Sequence, residues 1–230
     1  MSAKFDELAN PVWHALTGRQ SVFAERTADG RACRYQSDVN IFAGVDQLDA
    51  AGWSALAELV RPDGVAILSR DEVPEVPRGW TEVYRGTSMQ MVAAELADAR
   101  PVDLVPLDPA DVPEMIELAE ETVPGPFLPR TIELGRYVGV RQQGRLVAMA
   151  GERMRLPGFA EVSAVCTHPS AQREGLAAAL TLAVVRGIRE RGEEAFLHVV
   201  DENEGALRLY RALGFQLHRP VTAVAVRFEG

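Results

Sequence analysis

Cysteine is nearly absent from this 230-residue chain: Cys33 and Cys166 are its 2, far apart and outside any C-x-x-C or metal-ligand spacing. That argues against a disulfide framework and a zinc site, and no metal is expected. Positive charge is also short. The 24 Lys and Arg face 33 Asp and Glu, a net charge of -9. A surface of that sign is wrong for phosphate backbones, so nucleic acid is not expected as the main partner. An acidic field instead favours a cationic substrate such as an amine. No apolar run approaches the roughly 20 residues of a membrane span. The opening "MSAKFDELANPVWHAL" lacks the basic region and apolar core of a secretory signal. No repeat or low-complexity segment stands out. What remains is the composition of an ordinary soluble protein, 47% hydrophobic and 25% charged, expected in the cytoplasm and away from membranes.

The clearest seam is Ala94 to Met115, where Pro101, Pro106, Pro109 and Pro113 punctuate a polar stretch. It sets an expected boundary near Arg100, with an N-terminal α/β region over 1–100 and a second domain over 101–230. In the first region "NPVWHALTG" reads as a short helix with Asn10 as N-cap and Pro11 at its first position. "DAAGWSALAELV" is a second helix, with Trp53, Leu56, Leu59 and Val60 on one face. "GVAILS" is a short buried strand, and "WTEVYRGTSMQMVA" a long strand or an extended pair. No catalytic constellation appears here, and His14 reads as packing. The region is expected to serve as scaffold, lid or interface, with the Trp53 helix covering a cleft or making a dimer contact.

After the seam the pattern is β-α-β-β-β-α-β-α-β-β, an α/β chain with a mixed α+β sheet and helices packed on it. The hairpin in "RYVGVRQQGRLVAMAGERMRL" turns at Gln143-Gly144. Leu176, Leu180, Val184 and Ile188 form one stripe of a long helix, and "FQLHRPVTAVAVRFE" reads as a final pair of strands.

Two stretches carry chemistry. In "VCTHPSAQREGLAAAL" a strand delivers its carboxyl end to a helix start through His-Pro-Ser, Gln172 and Gly175. First-turn N–H groups have no intrahelical partner, and the helix dipole adds about half a positive charge, so such a junction can cradle an anion. An ordinary strand-to-helix connection is the plainer alternative. In "NEGALRLYRALGF" a helix has Asn203 at its N-cap and Gly214 just past its end. Ala206, Leu209, Tyr210 and Leu213 share a face, so Tyr210 carries a hydroxyl into a packed region where it needs a partner.

Together these stretches resemble the GNAT superfamily of acyl-CoA-dependent N-acyltransferases. Its Q/R-x-x-G-x-G/A pattern appears as Gln172-Arg173-Glu174-Gly175-Leu176-Ala177. Its N-x-x-A-x-x-x-Y-x-x-x-G-F signature appears as Asn203, Ala206, Tyr210, Gly214 and Phe215. The resemblance covers about Val102 to Glu229 and is nearest to bacterial single-chain acetyltransferases with an extra N-terminal half. It implies acetyl-CoA as acyl donor, with the pyrophosphate on Gln172, Arg173, Glu174, Gly175, Leu176, Ala177 and Ala178, near Asn203. The pantetheine arm would lie along Val165, Cys166 and Thr167. An N–H there would polarise the thioester carbonyl, and Tyr210 would act as general acid to the departing thiolate. Glu174 departs from the pattern, which commonly has a basic residue there; a carboxylate beside a pyrophosphate weakens binding unless it points away.

The resemblance also implies direct attack by a primary amine, with no acyl-enzyme. Glu161 is the first candidate for the base, at the spacing from Gln172 where the histone acetyltransferase branch carries its glutamate. Strand alternation puts Glu161, Ser163 and Val165 on one face, and burial there is expected to raise the carboxylate's pKa. His198 is the alternative base and a water chain the third route. Glu152 is a candidate to bind a cationic amine, and His168 to cap its turn. The acceptor loop "TVPGPFLPRT" names no substrate. The function expected is an N-acetyltransferase acting on a small amine, an amino acid or a peptide N-terminus, with a homodimer among the arrangements considered. The alternative is a GNAT-fold module that binds coenzyme A or a protein without turnover.

Overall fold

The computed structural model describes residues 3–98 and 100–230. Before the seam lie α1 (Pro11–Thr17), β1 (Ala24–Arg26), β2 (Ala32–Tyr35), β3 (Phe42–Val45), α2 (Ala50–Val60), β4 (Val65–Arg70) and β5 (Trp80–Ala93). After it come β6 (Val105–Leu107), α3 (Val112–Thr122), β7 (Tyr137–Gln142), β8 (Arg145–Leu156), β9 (Phe159–Thr167), α4 (Leu176–Glu190), β10 (Glu194–Val200), α5 (Glu204–Ala212) and β11 (Phe215–Phe228). The α/β class, and the element order after the seam as far as α5, are as the pattern predicts.

Local chemistry explains the main elements. Gln143 and Gly144 both have positive φ, 53° and 83°, the twist a tight β7–β8 hairpin requires. Asp108 accepts from the Ala110 N–H at 2.7 Å, and Asp111 accepts from the Asp108 N–H at 2.9 Å. That reciprocal cap starts the 3-10 turn that leads into α3. The α4 stripe of Leu176, Leu180, Val184 and Ile188 is buried, each side chain contributing roughly 1.5–3 kcal/mol on burial. Asn10 precedes α1 but does not cap it; its side-chain amide donates instead to Val45 O at 2.9 Å. The final pair of strands is one strand, β11, kept continuous across a register shift between Leu217 and Arg219. The short strands β1 to β3 were not apparent in the sequence.

Among the described residues the strands form one sheet in the order β1-β2-β3-β4-β11-β5-β10-β9-β8-β7-β6. β5, from before Arg100, lies between β10 and β11, antiparallel to both. The core crosses the seam as well: Leu8, Val12, Leu16, Tyr35 and Phe42 pack with Met154, Leu156, Phe159 and Phe196. Trp53 is buried on the inner side of α2, with its ring 5.4 Å from Trp80. That face is therefore occupied within the chain and is not available to a cleft or a second copy.

Candidate active site

β9 and β10 run parallel for three register pairs, ending at Phe196↔Glu161, and then separate. Beyond that point β10 stays paired with β5 through Val200, so the β10-facing edge of Val162–Thr167 has no strand partner among the described residues. Ala164, at φ 51°, helps bend β9 away. Met149 pairs with Cys166 and Gly151 with Ser163, so Ala164 and Val165 oppose Ala150 alone in a β-bulge. Nothing in the sequence marks Ala164 for a left-handed conformation, and the sequence reading missed it.

One side of this opening leads to the start of α4. Arg173 and Gly175 both have positive φ, 65° and 79°, which turns successive N–H groups of the connection toward one another. A Cβ on Gly175 would meet nothing within 4 Å, so it is the backbone angle, rather than crowding within the chain, that calls for glycine here. No side chain caps α4. The first helical bond is Ala179 N–H to Gly175 O at 3.2 Å, and the N–H groups of Leu176, Ala177 and Ala178 have no partner among the described residues. Gln172 stands beside them, its amide directed at Thr167 O. The Glu174 carboxylate accepts from the Gln142 side chain at 3.0 Å, a partner on the neighbouring hairpin that occupies it. A cleft of about 410 Å³ runs along Val165, Cys166, Thr167, Gln172 and Ala177 to Tyr210. The Thr167 hydroxyl is buried there without a partner among the described residues. An anionic cofactor with a polar arm fits these groups: uncapped helix N–H donors at one end and an unpaired strand edge along the cleft. Burial pushes the Cys166 thiol up to about 11, so it is protonated and inert as a nucleophile. Asn203 caps α5, its Oδ1 accepting from Ala206 N–H at 3.0 Å.

The other side leads to a smaller cavity of about 190 Å³, lined by Arg153, Ser163, Val165, His198, Val200, Asn203 and Tyr210 among others. Its floor is a buried polar chain. In β8, Arg153 and Met154 oppose Glu161 alone, a second bulge. Arg153 grips Glu161 in two bonds, Nε–Oε2 at 2.8 Å and Nη2–Oε1 at 2.6 Å. His198 Nδ1 meets Glu161 Oε1 at 2.8 Å, and His198 Nε2 meets the Gln90 amide at 3.0 Å. The region before Arg100 holds this chain in place. Gln20 donates to Arg153 O at 2.7 Å and accepts from Arg155 N–H at 3.2 Å, pinning the bulge. The Phe42 ring lies 4.7 Å from the guanidinium carbon of Arg153. Gln90 also donates to Leu8 O at 2.9 Å.

This geometry corrects the expectation for Glu161. The residue is fully buried, and burial alone pushes its pKa up. The charge and hydrogen bonds of Arg153, followed by those of His198, outweigh that and hold it down to about 2. A carboxylate fixed as an anion is a poor proton acceptor at neutral pH. Both nitrogens of His198 are likewise engaged. Glu152 does not wait for an amine either: it is buried and bonded to Arg191 at 2.6 Å. His168 caps its turn as expected, accepting from Ser170 N–H at 3.2 Å. Arg153 was missed. The signal available was a pair of adjacent charges, Glu152-Arg153, following the apolar run Leu146–Gly151 of the same strand.

Tyr210 belongs to both spaces, together with Val165 and Ala206. Burial pushes its hydroxyl up to about 12, so it keeps its proton at neutral pH.

The family model described as FR47-like protein matches residues 137–224, the segment from β7 into β11. The N-alpha-acetyltransferase RimI of Mycobacterium tuberculosis is 35% identical over 131 residues, 52% of this chain and 82% of that protein. A mycothiol acetyltransferase of Mycobacterium marinum is 30% identical over 186 residues, 76% of this chain and 48% of that protein. The chain spans less than half the length of the mycothiol acetyltransferases it matches. A solved structure of a putative GNAT acetyltransferase from Novosphingobium aromaticivorans is 37% identical with a TM-score of 0.88, covering 97% of this chain and 99% of that one. Motif, site and relatives agree, and the chain belongs to the GNAT superfamily of N-acetyltransferases.

Proposed function

We propose that this protein transfers an acetyl group from acetyl-CoA to a primary amine by direct attack in a ternary complex. The observation that carries this reading is the junction at Tyr210: a cleft ending on uncapped helix N–H groups meets a cavity ending on Arg153, Ser163 and His198. The N–H groups of Leu176, Ala177 and Ala178 bind the pyrophosphate, with Gln172, Arg173 and Gly175 shaping the cradle. The open edge of Val165, Cys166 and Thr167 holds the thioester arm, and an N–H there stabilises the oxyanion. The Tyr210 hydroxyl donates a hydrogen bond to the departing sulfur; a phenol held at about 12 gives that bond without giving up its proton beforehand. Glu161 acts as a positioning anion for Arg153 and His198. The amine loses its proton to water entering the cavity, so turnover rises with pH along the amine's own titration.

Calorimetric titration with acetyl-CoA, with desulfo-CoA as control, tests the first half of the reading, and thiol release in the presence of amines tests the second. Micromolar binding and amine-dependent release are expected. No heat up to millimolar acetyl-CoA would overturn the cradle, and binding without release from any amine would leave a coenzyme A-binding module.

A further inference from the structure

The acceptor cavity is built around donors. Arg153 spends Nε and Nη2 on Glu161, while its Nη1 makes no hydrogen bond among the described residues. A guanidinium offers five N–H donors in a planar fork, so a second carboxylate can take the free edge while the first keeps its own. Ser163, which lines the cavity, has no hydrogen-bond partner for its side chain among the described residues either. Behind them Arg153 and Ser163 abut a closed seam under Pro124, Gly125, Pro126 and Phe127, without room for a water molecule, where Tyr137 lies. Tyr137 is 3% exposed and its hydroxyl is buried with no partner, close enough to Arg153 for the guanidinium charge to bear on it. A buried hydroxyl without a partner costs about 1–3 kcal/mol. The open side-chain groups lining the cavity are thus the Nη1 of Arg153, the hydroxyl of Ser163 and the amide N–H groups of Asn203, all able to donate, and none is an anion without a cation.

We propose that the acceptor amine carries a carboxylate nearby, bound by the free Nη1 edge of Arg153 and the hydroxyl of Ser163. This rests on the transfer reading above and narrows its substrate to amino acids or to peptides with an acidic first residue. Size agrees: the cavity, at about 190 Å³, is below the roughly 300–1,000 Å³ of pockets for drug-sized ligands. Val200 and Val123, 43% and 79% exposed, also line the cavity, so part of the acceptor meets hydrocarbon.

Two measurements on the full-length protein test this. In the first, coenzyme A-loaded protein is titrated with N-acetylamino acids and with their matched N-acetyl amides, which reads the subsite without turnover. In the second, thiol release from acetyl-CoA is compared for amino acids, their amides, their decarboxylated amines, and peptides with acidic or neutral first residues. At least one carboxylate is expected to bind and react tenfold or more better than its amide. Arg153→Lys keeps a charge for Glu161 but removes the fork, and the preference should fall toward unity with acetyl-CoA affinity unchanged. If that variant does not fold, Ser163→Ala carries the test, expected to reduce the preference several-fold. Amides or plain amines used as well as carboxylates would overturn the inference and leave the transfer reading standing. Carboxylate-selective binding with no thiol release would do the reverse, and neither binding nor release would remove both.

Discussion

The two arms of the site are made of different material. The donor arm is backbone: an uncapped helix start, a glycine and an arginine at positive φ, and an unpaired strand edge. The acceptor arm is side chain: Arg153, Glu161, His198 and Gln90 in one buried chain, propped by Gln20, Phe42 and Leu8 from the other side of the seam. A backbone site tolerates most changes of residue and fails mainly where the angle or the sign of charge is wrong. A buried ionic chain tolerates almost none, because removing one member leaves a charge stranded in low dielectric. The same difference separates a part that can be shared among relatives from a part free to set specificity.

Mutations can break this contrast or sharpen it. Tyr210→Phe, at the point where the arms meet, is expected to have the largest effect: a loss of about 10²–10⁴-fold in turnover with acetyl-CoA affinity nearly unchanged, read by steady-state kinetics beside calorimetry. Unchanged turnover would remove the hydroxyl from the chemistry. Glu161→Gln strikes the acceptor arm and should cost roughly 3–5 kcal/mol of stability at neutral pH, measured by urea unfolding. Because the carboxylate's pKa is lowered on folding to about 2 from 4.5, its contribution is present above about 4.5 and is lost as pH falls toward 2. The gap between variant and parent should therefore close over that range, and a gap independent of pH would show that the ion pair contributes little.

The donor arm is expected to respond in binding rather than in stability. Gly175→Asp adds a carboxylate where an anion binds and forces a side chain into a left-handed angle, so acetyl-CoA affinity should drop about 100-fold, or about 2.7 kcal/mol. Gly175→Ala separates the causes. With nothing within 4 Å of its Cβ, only backbone strain of roughly 1–2 kcal/mol remains, and the loss should be smaller. Glu174→Arg is expected to do least. The carboxylate is already engaged by Gln142, so affinity should tighten by less than tenfold; a larger gain would mean that it faces the bound anion.

The contrast also explains what could be read from residues alone. The donor arm is local, confined to a few turns of chain with its angles encoded by Gly175 and its helix starts by short motifs, so Gln172, Gly175, Asn203 and Tyr210 could be picked out without a structure. Asn203 caps α5, as its place at the start of that helix predicts. The acceptor arm is non-local. Gln20, Phe42 and Gln90 have nothing in their neighbourhoods to connect them to Arg153, and the first region accordingly looked silent. Glu161 was found, but the direction of its pKa was not, since that depends on Arg153 rather than on burial alone. The central place of β5 was equally hidden: its partners β10 and β11 lie at the far end of the chain.

That placement has a consequence for synthesis. As the chain leaves the ribosome, β5 emerges early, yet one of its edges stays open until β10 follows and the other until β11 has followed it out. The waiting strand carries Val83 and Tyr84, 48% and 50% exposed even in the finished fold, and unpaired strands of that kind invite association with other chains. The fold thus closes at its middle last, and a nascent chain stalled just short of Phe215 would be the species most in need of a chaperone.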